Sequence, residues 1–171
     1  MILGLSVATF TLVHVIISLI GIATGLIVLL AMLGNRVSVW TSTFLATTVL
    51  TSATGFLFHS KAIGPPHIVG ALSLVILLFS LLAFYKFHLA GRWRAVYVVT
   101  ATLALYLNVF VAVVQSFLKI PSLNRLAPLG NEPPFAISQG LVLVLFVVLG
   151  WLALKRFHPP VASAPGIRLA A

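Results

Sequence analysis

Long apolar runs separated by short polar connectors set the pattern of this chain, and each run is long enough to read as a helix across a bilayer, which needs about 20 apolar residues. The first run covers about residues 5–33 without a charged side chain. It exceeds the roughly 7 to 15 residues of a signal-peptide core and no basic residue precedes it, so it is expected to remain in the mature protein as a span. Gly34 and Asn35 carry helix-stopping chemistry, with Arg36 next in the connector. A second span, about 39–58, is rich in Thr and Ser, which a membrane helix tolerates because each hydroxyl can bond the carbonyl one turn back. Gly64, Pro65 and Pro66 punctuate the next connector and predict a third helix over about 67–87. The fourth covers about 95–118 and stops before Pro121. A loop with Pro121, Pro128, Pro133 and Pro134 leads to a fifth, about 135–154, and Pro159, Pro160 and Pro165 mark a loose tail. The expected fold is an all-α membrane protein, a bundle of about five transmembrane helices over residues 1–158 followed by a flexible cytoplasmic tail over 159–171.

Composition strengthens this picture. With 61% hydrophobic and 6% charged residues the chain could not cover a water-facing surface, since an ordinary soluble domain has about 25% charged residues. The spans consume nearly all 171 residues, leaving no room for a separate soluble catalytic domain. A net charge of +9 would suggest nucleic acid in a soluble protein. Here the basic residues lie in connectors, where orientation against anionic lipid accounts for them, and no nucleic-acid partner is expected. The chain has no cysteine, which removes disulfides, thiolate metal sites and a cysteine nucleophile. Glu132 is the single carboxylate side chain, so paired-carboxylate catalysis is excluded and an enzyme is the poorest fit.

Seven basic residues fall on one side of the predicted bundle: Arg36, Lys86, Arg92, Arg94, Lys155, Arg156 and Arg168. Lys61, Lys119 and Arg125 fall on the other. Cytoplasmic connectors carry the excess of Lys and Arg, so the amino terminus is expected outside and the carboxyl terminus in the cytoplasm of a bacterial inner membrane. Trp40, Trp93 and Trp151 all map to the same cytoplasmic boundary, where an indole keeps its ring in the apolar region and its N–H among headgroups.

Positions three, four and seven apart share a helix face. His14, Ser18, Gly21 and Gly25 form one stripe on the first helix, and Thr48, Ser52, Gly55 and His59 form another on the second. Because the second helix runs the opposite way, the two stripes can face each other, and the spacing of Gly21 and Gly25 marks close packing. On the fourth helix Tyr97, Ala101, Ala104, Asn108, Ala112, Gln115 and Lys119 share a face. Asn108 lies near mid-membrane, where its amide needs a protein or water partner.

By depth, His14, His59, His67, Gln115, Glu132 and Gln139 map to the outer half, with Asn108 beneath them. An outward-facing polar pocket around His14, with Ser18 and Ser52 on its walls, would collect them. His14, inside a span, is a functional candidate by position, although an imidazole can also serve as glue between helices. His14, His59 and His67 are the metal-ligand candidates. His59 and His67 flank a connector at headgroup depth, where a histidine simply meets water. Glu132 precedes the fifth helix, as an acid at a positive helix end or as the pocket's acid paired with His14, Lys119 or Arg125.

The strings from His14 to Gly21, Thr54 to Phe58, Pro65 to Ile68, Tyr106 to Phe110 and Glu132 to Phe135 resemble those of small uncharacterised polytopic inner-membrane proteins of bacteria. The likeness covers about residues 14–156 and implies no activity. A weaker similarity is to membrane cytochromes that hold haem b between helices, since one histidine sits within the first helix and others lie near the same surface. Those families supply paired axial histidines from facing helices, often at two depths. Only the outer depth has candidates here, which speaks against a two-haem relay.

Three functions are open at this point. A ligand-binding or redox-associated subunit would hold haem, quinone or a metal ion at His14, with His59 or His67 as partner; no spacing selects one of these ligands. A structural accessory subunit would dock its small-residue stripes within itself, as a homo-oligomer or onto a larger membrane complex. A transporter of protons or a small solute would need polar groups continuing inward, and beyond Thr48 and Tyr97 there are few.

Overall fold

Local chemistry sets the helix boundaries. The computed structural model describes residues 1–2, 4–58 and 64–159; His59, Lys61, Arg168 and the tail beyond Pro159 lie outside the described residues. The regular structure among them comprises α1 (Val7–Leu33), α2 (Thr41–Gly55), α3 (Pro65–Leu81), α4 (Arg92–Lys119), α5 (Pro121–Asn124) and α6 (Pro133–Arg156). Apart from one isolated bridge between Ile2 and Leu5, these residues are helix and connector. Ser6 caps α1, its hydroxyl accepting the Thr9 N–H at 3.1 Å. Proline opens α3, α5 and α6, at positions whose N–H would have lacked a helical partner in any case.

Among the described residues, four helical segments are long and apolar enough to cross a membrane: Val7–Leu33, Pro66–Lys86, Arg92–Lys119 and Pro133–Arg156. At 15 residues α2 falls short of that length by itself. The segment Pro66–Lys86 includes a π-helical turn, Leu82–Lys86, which fits an extra residue into the helix end. His88 and Leu89 follow with φ of 47° and 61°, a left-handed conformation that is costly for a bulky side chain. Burial offsets the cost at Leu89, which joins the core. The turn is braced further by Phe87, stacked flat on Trp93 at 3.8 Å.

α4 is the central helix, touching α1, α2, α3 and α6. α1 and α2 run antiparallel with matched steps. A Cβ on Gly25 would meet Phe44 and Leu105, one on Gly21 would meet Thr47, Thr48 and Asn108, and one on Gly55 would meet His14. Phe10 and Phe58 extend the pairing, with ring centroids 5.1 Å apart. The facing stripes expected from the sequence are thus in contact, with Gly21 and Gly25 buried.

Most of the large core lies toward the end of the bundle that carries Arg36, Arg92, Arg94, Lys155 and Arg156. Met32, Phe44, Phe84, Tyr97 and Phe157 are all almost wholly buried there. Arg94 ties two helix ends together, its guanidinium donating to the carbonyls of Leu154 at 3.1 Å and Phe157 at 2.6 Å. Those are terminal carbonyls of α6, which have no helical donor and favour a cation. Asn35 adds a second tie by accepting the His158 N–H at 2.6 Å.

The tightest approach generates a prediction. A Cβ at Gly25 would lie 2.6 Å from Leu105 Cδ1 and 2.8 Å from a Phe44 ring carbon. Gly25→Ala should lower stability by about 1–3 kcal/mol, the usual cost of overpacking, while Gly140→Ala, whose Cβ would enter open space, should leave it unchanged. Thermal unfolding of both variants in detergent checks this, and equal midpoints would contradict the packing.

Candidate functional site

Thr54 lies on the α2 face that meets His14. The His14 Nδ1 atom is 2.8 Å from the Thr54 hydroxyl oxygen, and that hydroxyl donates to the Leu50 carbonyl at 2.6 Å. A threonine hydroxyl has a single hydrogen. With that hydrogen on Leu50, the oxygen can only accept, so the proton in the first bond belongs to His14 Nδ1. In the neutral ring the lone pair is therefore on Nε2. The Phe58 ring stands edge-on to the imidazole at 5.2 Å, and Gly55 leaves room beside it, since a Cβ there would reach His14 Cε1 at 4.0 Å.

Asn108 repeats the device one level deeper. Its Nδ2 donates to the Thr48 hydroxyl oxygen at 3.3 Å, and Thr48 donates to the Phe44 carbonyl at 2.7 Å. In both places a threonine of α2 bonds its own helix and presents an oxygen lone pair to a polar side chain of a neighbouring helix. The same back-bonding that makes threonine tolerable in an apolar helix thus serves as a docking point.

The other candidates are dispersed. Ser18 donates to the backbone carbonyl of His14 at 2.7 Å, so its hydroxyl hydrogen is occupied within α1. Ser52 is buried on the α2 stripe one turn before Gly55. His67 opens α3, where its Nδ1 accepts the Gly64 N–H at 3.3 Å and its ring meets Phe56 at 5.9 Å. Gln115 is exposed on α4. Gln139 donates to the Phe110 carbonyl at 3.1 Å, and its Oε1 is buried without a hydrogen-bond partner. The structure thus joins His14 to Thr54 and Asn108 to Thr48; it shows no hydrogen bond joining His14 to Asn108 or Gln115 among the described residues. Nor do three metal-ligating side chains converge among them.

Glu132 is taken up by its own loop. One carboxylate oxygen accepts the Leu129 N–H at 2.9 Å and the other the Asn131 N–H at 3.1 Å. These backbone bonds, the one from Leu129 foremost, hold its pKa below the usual carboxylate value.

Thr54 was the partner that stripe reasoning missed. Read inward, the stripes pair His14 with His59, which lies outside the described residues, and Ser18 with Gly55; the structure instead sets His14 beside Gly55, and the preceding residue, Thr54, supplies the hydrogen bond. Its signal was the recurrence of threonine at Thr47, Thr48, Thr51 and Thr54 on the helix facing His14, which lies well inside a span. Set against known proteins, the chain matches no family model, no curated protein and no solved structure.

The Glu132 bonds carry a pH signature. A carboxylate whose folded value is depressed stabilises the fold above its unfolded value, and that contribution is lost as pH falls through the folded one. Glu132→Gln should therefore lower the thermal midpoint at neutral pH, and the gap to the parent protein should close in acid. A gap independent of pH would show that the carboxylate charge is not what braces the loop.

Proposed function

We propose that the chain is a small multi-pass membrane subunit that binds a ligand at His14 Nε2, toward the outer end of the bundle. The observation that carries this reading is the chain of contacts from His14 through Thr54 to Leu50: with the Thr54 hydroxyl donated to Leu50, its oxygen accepts from Nδ1–H, and Nε2 keeps its lone pair. Ligating histidines are nearly always held this way, the other ring N–H donated to a fixed acceptor that sets orientation and basicity. Without three converging ligands among the described residues, a metal bound here must bring its own donor set, as the iron of haem b does. A quinol hydroxyl is the other electron-pair acceptor of suitable chemistry.

The same reading has five crossings, with the amino terminus outside and the carboxyl terminus in the cytoplasm of a bacterial inner membrane. α2 supports the fifth crossing because its pairing with α1 continues from Gly25 opposite Phe44 to Phe10 opposite Phe58. Its flanks thereby complete a span that the helical residues alone leave short. The seven-to-three division of basic residues supports the orientation. Since the chain has no cysteine, single substitutions report sidedness cleanly. Ser122→Cys should react with an impermeant maleimide in intact cells, and Arg92→Cys only after permeabilisation. The reverse pattern would overturn the orientation.

Absorption spectra and lipid extracts of the protein purified from its own host test the ligand. A Soret band identifies haem and an extracted quinone the alternative; neither would refute the reading. His14→Ala should abolish retention with the protein still inserted, because one interhelical hydrogen bond contributes only about 0.6 kcal/mol. Thr54→Val should weaken retention by about 10- to 100-fold, the usual effect of removing the group that orients a ligating histidine. Retention unchanged in both variants would exclude His14 as the contact.

A further inference from the structure

A second site lies at the opposite end, between α4 and α6. Val99, Leu103 and Tyr106 on α4 face Leu143, Val147 and Trp151 on α6 across an open groove of about 290 Å³ whose lining is almost entirely apolar. From Leu143 to Leu154 the groove follows α6 for about 17 Å, at 1.5 Å per residue, toward the end where α4 begins and α6 stops. At that mouth the Lys155 ammonium stands 3.8 Å above the Trp151 ring, with Arg156 next in the chain.

We infer that this groove binds an anionic phospholipid, one acyl chain lying along α4 and α6 and the phosphate-bearing headgroup at Lys155. The aromatic face orients the ammonium but cannot neutralise it. The only carboxylate side chain of the protein, Glu132, precedes α6 at the other end of that helix, so no carboxylate side chain among the described residues balances the charge of Lys155 and Arg156. A headgroup carrying net negative charge does. A zwitterionic headgroup would bring a cation of its own into this acid-free surrounding, and a second copy inserted in the same orientation would bring another basic end. Arg94 is not part of this site, because its guanidinium is held by the Leu154 and Phe157 carbonyls. Basic pockets between membrane helices are known recognition sites for acidic headgroups. The inference requires that the chain crosses a bilayer; it is independent of what binds at His14.

Trp151 lines the groove and reports on its contents. In the Trp40→Phe, Trp93→Phe background, reconstituted in phosphatidylcholine vesicles, phosphatidylglycerol brominated on its acyl chains should quench Trp151 with about fivefold preference over equally brominated phosphatidylcholine. That is the factor one lysine near an anionic surface supplies. The preference should fall toward one in Lys155→Gln and at high salt, and survive Lys155→Arg. Equal quenching by the two lipids, or a preference indifferent to both Lys155→Gln and salt, would overturn the site. Native mass spectrometry of the unaltered chain from mixed vesicles gives a second reading: phosphatidylglycerol retained over phosphatidylcholine supports it, and equal retention contradicts it.

Discussion

The close approach of α1 to α2 and α4 at Gly21 and Gly25 is the contact on which the remaining geometry depends. In lipid there is no hydrophobic force to press apolar helices together, so association rests on van der Waals fit and a few hydrogen bonds. Two absent side chains let the ring of Phe44 and the methyls of Leu105 reach the backbone of α1. Once Gly25 faces Phe44, antiparallel helices of equal rise leave little freedom for the rest of the pairing. Asn108 and Thr48 arrive at Gly21, and His14 arrives at Thr54. A loss of fit at Gly25 would therefore be felt at His14, some 16 Å away by helical rise.

Packing is uneven along the bundle, and the unevenness divides its work. Toward the basic end, Tyr97, Phe84 and Phe157 form a buried aromatic group, with Tyr97 stacked on Phe84 at 5.3 Å. Polar ties from Arg94 and Asn35 then close the helix ends around it. Toward the other end polar side chains enter the helix contacts beside Phe10, Phe58 and Phe117, and His14 is only half buried. A well-packed scaffold at one end can hold side chains at the other in fixed geometry, which the ligand contact proposed at His14 requires.

How much of this was legible follows from what periodicity measures. The 3.6-residue repeat identifies which residues share a face, so the pairing of the His14 and Thr48 stripes could be read before any coordinates. The long apolar runs located α1, α4, α6 and the segment Pro66–Lys86 to within a few residues, because length and composition decide them. Depth along an axis says nothing about rotation around it. Gln115 and Asn108 share a face by spacing, yet Asn108 turns to Thr48 while Gln115 remains exposed. Gln139 lies at outer depth but bonds the α4 backbone at Phe110. Glu132 was placed correctly before the fifth helix, and its partners, the N–H groups of its own loop, depend on loop backbone geometry that no residue pattern encodes. The π turn and α5 were illegible for the same reason.

The charges show how a chain with ten cations and one acid remains compatible with a membrane. Among the described residues, the internal partners of its cations are not carboxylates. Arg94 uses the unpaired carbonyls at the end of α6, Lys155 the face of Trp151, and Lys86 the ring of Phe87 at 5.6 Å. Carbonyl dipoles and aromatic quadrupoles orient a cation without cancelling its charge. The basic end therefore keeps most of its positive potential, and the phosphates of the surrounding lipid are the counterions left to it. The single carboxylate, occupied by two backbone N–H groups at the far end, cannot compete for that role. The orientation and the lipid site proposed at Lys155 both rest on this positive charge, which no carboxylate side chain among the described residues matches.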